Sequence, residues 1–368
     1  MTAMRLTRDM LSEAKPENFP ILDLGDYARG VPGAREKVAA VLRDACENVG
    51  FMVAINHGVP QSMVDGMFAW AERFHALPMA TKNSLAMGKN FVGYLAAGAF
   101  AIKTSDLNDN RKGDLNEAFF MDRDRAADDK EVLAGQHFRE LNKWPDNLPG
   151  FREFATNYYA RMERFAQGLL PLFATALDLP PDWFDKAFIG GQSTLRLSHY
   201  PPTQGDPDQF GISPHCDSNF LTILPQSTVE GLYVRPAGRP WMKAPYLPGS
   251  FVINAGDTCH RWTNHRFRST EHLATNPTPD KHRYAIPFFV APHSRWPITC
   301  IPTCTDAANP PRYPTYTYEE HRLWFMRNNY QRAADVPLES AVGSLRVADQ
   351  LACDGDDAMR LAPEVIIL

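Results

Sequence analysis

Near residue 193 the spacing of apolar residues in this 368-residue chain changes from helical to strand-like, which demands a fold that packs helices against a sheet core. Upstream lies the longest amphipathic pattern, in which Phe151, Phe154, Tyr158, Met162, Phe165, Leu169, Phe173 and Leu177 recur in steps of three and four. That spacing predicts a core-facing helix over 150–179, opened at Gly150, bent near Pro171 and stopped by Pro180 and Pro181. Downstream, short apolar runs at 193–200, 219–224, 231–235, 250–254 and 284–290 alternate with Pro and Gly breakers. Their rhythm predicts an antiparallel sandwich or barrel of the jelly-roll kind.

The first hundred residues add smaller elements. Val38, Val41, Leu42, Ala45 and Val49 share a helical face that ends at Gly50, a natural C-terminal stop. Residues 51–55 (FMVAI) read as a buried strand, and Met63, Met67, Trp70 and Phe74 mark a second helix after Pro60. Residues 103–147 are rich in Asp, Asn, Lys and Arg and read as loops with short elements. The expected fold class is therefore α+β with a mainly β core. The expected division is an N-terminal helical and mixed region over 1–120, a catalytic core over 121–333, and a C-terminal extension over 334–368.

Composition narrows the function. Hydrophobic residues at 44% and charged residues at 22% suit an ordinary globular chain. The net charge is -5 and Lys and Arg form no cluster, so no nucleic-acid or membrane partner is expected. No apolar leader or spanning segment is visible, and the expected location is cytoplasmic. The six cysteines include no CxxC pair, which argues against structural zinc. Neither GxxxxGK[ST] nor GxGxxG occurs, which argues against nucleotide chemistry. Oligomeric state is left open.

The chemistry concentrates at residues 213–218 (SPHCDS). On a strand His215 and Asp217 project to one side and Cys216 to the other. An imidazole and a carboxylate can grip one metal ion, and a third donor has five downstream candidates: His260, His265, His272, His282 and His293. Two histidines and one carboxylate leave half of an octahedral ion open, the arrangement used by non-haem Fe(II) oxygenases.

Ordered motifs then carry a resemblance. They are 19–24 (FPILDL), Gly50 with 55–60 (INHGVP), 195–202 (LRLSHYPP), His215-x-Asp217, 220–224 (FLTIL), Asn254-x-Gly-Asp257, 261–264 (RWTN), 268–272 (RSTEH) and 283–289 (RYAIPFF). Over residues 18–330 the chain resembles the isopenicillin N synthase-like oxygenases that use 2-oxoglutarate and Fe(II). The resemblance implies a double-stranded β-helix core, with Fe(II), 2-oxoglutarate and O2 as cofactor and co-substrates. It implies that His215, Asp217 and His272 ligate iron, and that Arg283 and Tyr200 hold 2-oxoglutarate. It implies oxidation of a small organic molecule, hydroxylation by default, with succinate and CO2 as co-products. Two departures stand out: Ala285 replaces the serine of the family's Arg-x-Ser, and Ser198 stands where many relatives have Asn. A 2-oxoglutarate-independent iron oxidase of the isopenicillin N synthase type is the alternative, and a non-catalytic binding protein with this fold is a more distant one.

Other residues receive plainer readings. His57 belongs to a structural turn, His199 points away from the metal, and Arg196 and Arg268 read by default as surface or interstrand ion pairs. Phe91, Tyr94, Phe119, Phe210, Phe220 and Phe288 are candidates to line a substrate pocket, together with loops at 91–125.

Overall fold

Gly50 makes the first join between helix and sheet. The helix Ala34–Asn48 ends just before it, its N–H closes on the Ala45 carbonyl at 2.8 Å, and its φ of 75° lies in the left-handed region that glycine enters freely. A Cβ here would collide with the Thr270 hydroxyl, so the turn also lets the chain pass close to the strand Glu271–Ala274. The computed structural model describes residues 6–11, 14, 19–100, 113–203, 205–277 and 280–329. The expected extension at 334–368 and part of the expected substrate loops (101–112) lie outside those residues.

Two sheets form the core. The larger has nine strands, running in order through Ile21–Asp23, Phe51–Ile55, Phe251–Ala255, Leu221–Pro225, Phe288–Val290, Thr194–Tyr200, Glu117–Asp122 and Gly93–Leu95, with Arg283–Ala285 also paired to Thr194–Tyr200. The smaller has four, in the order Ile212–His215, Glu271–Ala274, Leu232–Arg235 and Met242–Lys243. Apart from the parallel pair Ile21–Asp23 and Phe51–Ile55, the pairings are antiparallel. This is the expected jelly roll.

The expected runs are strands, although Ile286 and Pro287 split the last into two, as proline's missing N–H requires. Of residues 103–147, those described from 113 onward are loops with short elements, as expected, namely the strand Glu117–Asp122 and the helix Lys130–Leu133. Glu117–Asp122 is fully buried, between Thr194–Tyr200 and the edge strand Gly93–Leu95; its apolar centre, Ala118 to Met121, is too short to stand out beside so many charges. The long helix Phe151–Ala176 forms as expected, with Pro171 inside it rather than dividing it.

Strand alternation decides what each face of the large sheet does. On one face Leu195, Leu197, Leu221, Ile223, Ile253 and Phe288 pack with Tyr158, Met162, Leu169 and Phe173 of the long helix. Each such large side chain contributes about 1.5–3 kcal/mol when fully buried. The other face looks toward the small sheet and carries Thr194, Arg196, Ser198 and Tyr200 on one strand. Polar residues on that face line the inside of the roll, where the site lies.

Candidate metal centre

The small sheet supplies two imidazoles in register. His215 and His272 are direct antiparallel partners, and their ring centroids are 4.2 Å apart. Asp217, two residues beyond the strand end, turns its Oδ1 to 3.7 Å from the Nε2 of each histidine. Each Nδ1 faces a carbonyl two residues earlier in its own chain, Ser213 at 2.9 Å and Thr270 at 3.1 Å. Donation from Nδ1–H to those oxygens leaves both Nε2 lone pairs directed at the common point. Burial first, then the neighbouring His272, pushes His215 down to about 3, so it is neutral at working pH.

The large sheet orients the carboxylate. Asp217 Oδ2 accepts hydrogen bonds from Thr222 Oγ1 at 2.5 Å and Asn254 Nδ2 at 2.9 Å. Burial alone would raise its pKa, but His272, His215, Asn254 and Thr222 together hold it below the usual carboxylate range. The edge of Phe51 covers His272, with ring centroids 5.3 Å apart. Neutral nitrogens and an anionic oxygen within reach of one another are a donor set suited to a divalent ion.

Further along the inner face, Arg283 pairs with Tyr200 and Ala285 with Ser198. The Arg283 guanidinium carbon lies 4.6 Å from the centre of the Tyr200 ring, and Nε donates to the Val229 carbonyl at 3.2 Å. Its Nη1 is buried without a partner, and so is the hydroxyl of Ser198. Buried polar atoms are rarely left unpaired, so this pair of orphans fits an acidic group absent from the protein itself. Sequence reading flagged Ser198 only as a departure; its pairing opposite Ala285 is what gives it meaning.

The other candidate histidines are engaged elsewhere. His260 faces the Phe267 carbonyl at 2.7 Å, His265 the Tyr313 hydroxyl at 2.6 Å, and His293 the Glu131 carboxylate at 3.2 Å. His57 stacks on Phe251 at 4.0 Å and meets the Gly249 carbonyl, a structural role.

Sequence reading missed a second cluster. His75, Glu117 and His199 gather on the helix side of the large sheet. There Glu117 accepts from His199 Nδ1 at 2.8 Å and Lys82 Nζ at 2.8 Å, and also from the Tyr94 hydroxyl. His199 Nε2 meets His282 Nδ1 at 2.7 Å, and His75 Nε2 meets the Leu197 carbonyl at 3.0 Å. With an ammonium group on the shared carboxylate, this is a hydrogen-bonded ion network rather than a second metal centre.

A cavity opens beside His215 and Asp217. Its walls include Phe100, Phe120, Ile212, Phe289, Phe325 and Met326, and Arg196 and Arg322 also reach it. Two of the pocket aromatics, Phe120 and Phe289, are immediate neighbours of the expected Phe119 and Phe288, and Arg196 lies inside the roll rather than in the surface or interstrand ion pair of its default reading.

A jelly roll with two histidines and an aspartate converging inside it defines the class of mononuclear metal oxygenases. The comparisons agree. Residues 19–147 match the family described as "non-haem dioxygenase in morphine synthesis N-terminal", and residues 191–292 match the "2OG-Fe(II) oxygenase superfamily". A 2-oxoglutarate-Fe(II) type oxidoreductase, hxnY of Emericella nidulans, is 30% identical over 334 residues, covering 89% of this chain and 94% of the relative. Kihadalactone A synthase of Citrus sinensis is 33% identical over 335 residues, covering 88% and 95%. The crystal structure of a 2OG-Fe(II) oxygenase family protein from Caulobacter crescentus superposes with a TM-score of 0.72 at 30% identity, covering 85% of this chain and 99% of that one. The chain belongs to the 2-oxoglutarate–Fe(II) oxygenase superfamily. It is an oxidoreductase that uses Fe(II) and 2-oxoglutarate to act on a small molecule. Among the described residues no helix is long and apolar enough to cross a membrane.

Proposed function

We propose that His215, Asp217 and His272 hold the iron, that Arg283, Tyr200 and Ser198 hold the distal carboxylate of 2-oxoglutarate, and that the reaction is hydroxylation of a small molecule in the cytoplasm. The observation that carries the reading is the convergence of both Nε2 atoms on Asp217 Oδ1 at 3.7 Å, with both Nδ1 atoms tied back to backbone carbonyls. Bound there, the metal and the oxo acid supply the oxidising power, with succinate and CO2 as co-products. The chain's own residues do the rest. The two carbonyls fix the imidazole tautomers, Thr222 and Asn254 fix the carboxylate, and Phe51 shields one side of the centre from water.

Arg283 offers the planar fork that meets a carboxylate with two bonds. The Ser198 hydroxyl replaces, from the facing strand, the serine that Ala285 lacks. Ser198→Ala is expected to weaken 2-oxoglutarate binding by about 1.5 kcal/mol, about tenfold, since the lost bond is to a charged oxygen. Ala285→Ser in that background is expected to restore most of it. Dissociation constants from anaerobic titration measure both effects, and unchanged affinity in Ser198→Ala would remove this residue from the site.

The titration also tests the whole proposal. Fe(II) and 2-oxoglutarate added without oxygen are expected to give a weak visible charge-transfer band in the wild-type protein. The band should vanish in His215→Ala and His272→Ala. Its persistence in both variants would reject the assigned ligands.

A further inference from the structure

Two guanidinium groups stand inside the cavity beside the metal centre, and nothing described so far uses them. Arg196 comes from the inner face of the strand Thr194–Tyr200, and Arg322 from the helix Tyr318–Asn329. Both line the same cavity as His215 and Asp217. They are 6% and 4% exposed, little enough that neither charge is solvated in the ordinary way. Arginine cannot shed its proton to escape that cost. A buried charge of this kind is several kilocalories per mole unfavourable unless something compensates it.

Among the described residues the compensation is incomplete. Arg196 Nη2 donates to Asn116 Oδ1 at 2.6 Å, and its buried Nε has no partner. Arg322 Nη2 donates to Thr194 Oγ1 at 3.1 Å, and its guanidinium carbon lies 4.5 Å from the centre of the Phe138 ring. Among the described residues their hydrogen-bond acceptors are neutral, an amide oxygen for Arg196 and hydroxyls for Arg322, and the nearby acids Asp114 and Asp122 act only through space. The acid beside Arg322 is Asp122, whose oxygens are taken by Gln192 Nε2 at 2.7 Å and Thr194 Oγ1 at 2.6 Å. The Thr194 hydroxyl lies between it and Arg322, and the two charges act on each other through space rather than in direct contact. Thr194 and Arg196 are two apart on one strand and face the same side, and both guanidinium groups reach the same cavity.

The rest of the wall is apolar, formed by Phe120, Ile212, Phe289, Phe325 and Met326. A matching occupant has an apolar body and one anionic head. We propose that Arg196 and Arg322 form a carboxylate-binding subsite, so that the molecule this enzyme oxidises is a compact, largely apolar carboxylic acid. The planar forks of two arginines match a carboxylate in geometry as well as charge. Anchoring the acid there presents its apolar body toward His215 and Asp217. The inference rests on the proposed iron site, and it is separate from the 2-oxoglutarate cradle, whose Arg283 does not line this cavity.

The test uses the full chain loaded anaerobically with Fe(II) and 2-oxoglutarate. Probes are phenylacetic, 3-phenylpropanoic and cyclohexylacetic acids, each paired with its primary amide, and binding is measured by isothermal titration. At least one acid is expected to bind about tenfold or more tighter than its amide, a difference of about 1.4 kcal/mol. In Arg196→Gln and Arg322→Gln that preference should fall to near equality while the Fe(II)·2-oxoglutarate band still forms. Arg322 sits on a peripheral helix, so its variant decides the matter if Arg196→Gln fails to fold. Equal binding of acids and amides, no binding by any acid, or a preference that survives in Arg322→Gln would each overturn the proposal. Failure of the band in the wild-type protein, before any probe is added, would instead overturn the iron site.

Discussion

Asp217→Ala is expected to reduce Fe(II) retention to background and to abolish the visible band formed with 2-oxoglutarate. The carboxylate lies 3.7 Å from both imidazole Nε2 atoms, so its loss removes one of three donors and the only anionic one. The two neutral imidazoles left behind form a weak site for a hard divalent ion. Asn254→Ala and Thr222→Val leave all three donors but release Asp217 Oδ2, which they hold at 2.9 and 2.5 Å. Loss of such an outer partner is expected to lower iron affinity by about 10–100-fold, short of the loss in Asp217→Ala. Metal content after gel filtration, set beside the melting temperature, measures this ranking. An Asp217→Ala protein that keeps wild-type iron would show that the carboxylate is not a ligand.

The second large effect is on stability. Glu117→Ala is expected to cost about 3–5 kcal/mol, because it strands the Lys82 ammonium in the interior. Lys82 is buried, and its other bond runs to the His75 carbonyl at 3.0 Å. Replacing both partners by apolar residues, Lys82→Met with Glu117→Leu, should recover much of the loss, since neither charge is then left alone. The network also sets a pH dependence. Burial raises the Glu117 pKa, but the hydrogen bond from His199, the neighbouring His75 and the Lys82 ammonium outweigh it and hold the carboxyl well below its usual range. Burial likewise pulls His75 below the ordinary imidazole value of about 6.5, with Glu117 opposing. Both folded-state values are depressed, so on acidification the unfolded chain takes up protons first. The stabilisation is complete above about pH 6.5 and is lost as pH falls, first through His75 and then through Glu117. Denaturant unfolding at a series of pH values should show a slope whose lower, Glu117 part the double variant lacks, while the His75 part remains. A wild-type protein equally stable across this range would contradict the account.

Strand parity decided how much of this was legible beforehand. The long helix and the strand at 51–55 could be read from spacing, because their periods are unambiguous, whereas Asp217 joins His215 from beyond the strand end rather than by strand alternation. The pocket aromatics could not. Residues 118–121 and 288–290 are apolar on both faces of a sheet buried on both sides, so nothing in the sequence says whether Phe119 or Phe120, Phe288 or Phe289, turns inward. The structure chooses Phe120 and Phe289. At 194–200 the alternation is visible, but a polar face ordinarily means solvent. In a closed roll it faces the lumen instead, which is why Arg196 reads by default as a surface or interstrand ion pair and is found buried beside the site. The His75–Glu117–His199 network joins residues 42 and 82 positions apart, and no local pattern announces it.

The two imidazoles are each braced by a main-chain oxygen of their own strand, whereas the aspartate is braced by side chains. Point mutation can delete a side-chain brace but leaves a peptide carbonyl in place. The adjustable dial of this centre is therefore Thr222 and Asn254, and gradual change in metal preference through substitution should proceed by way of the aspartate, with the histidine geometry inherited unchanged.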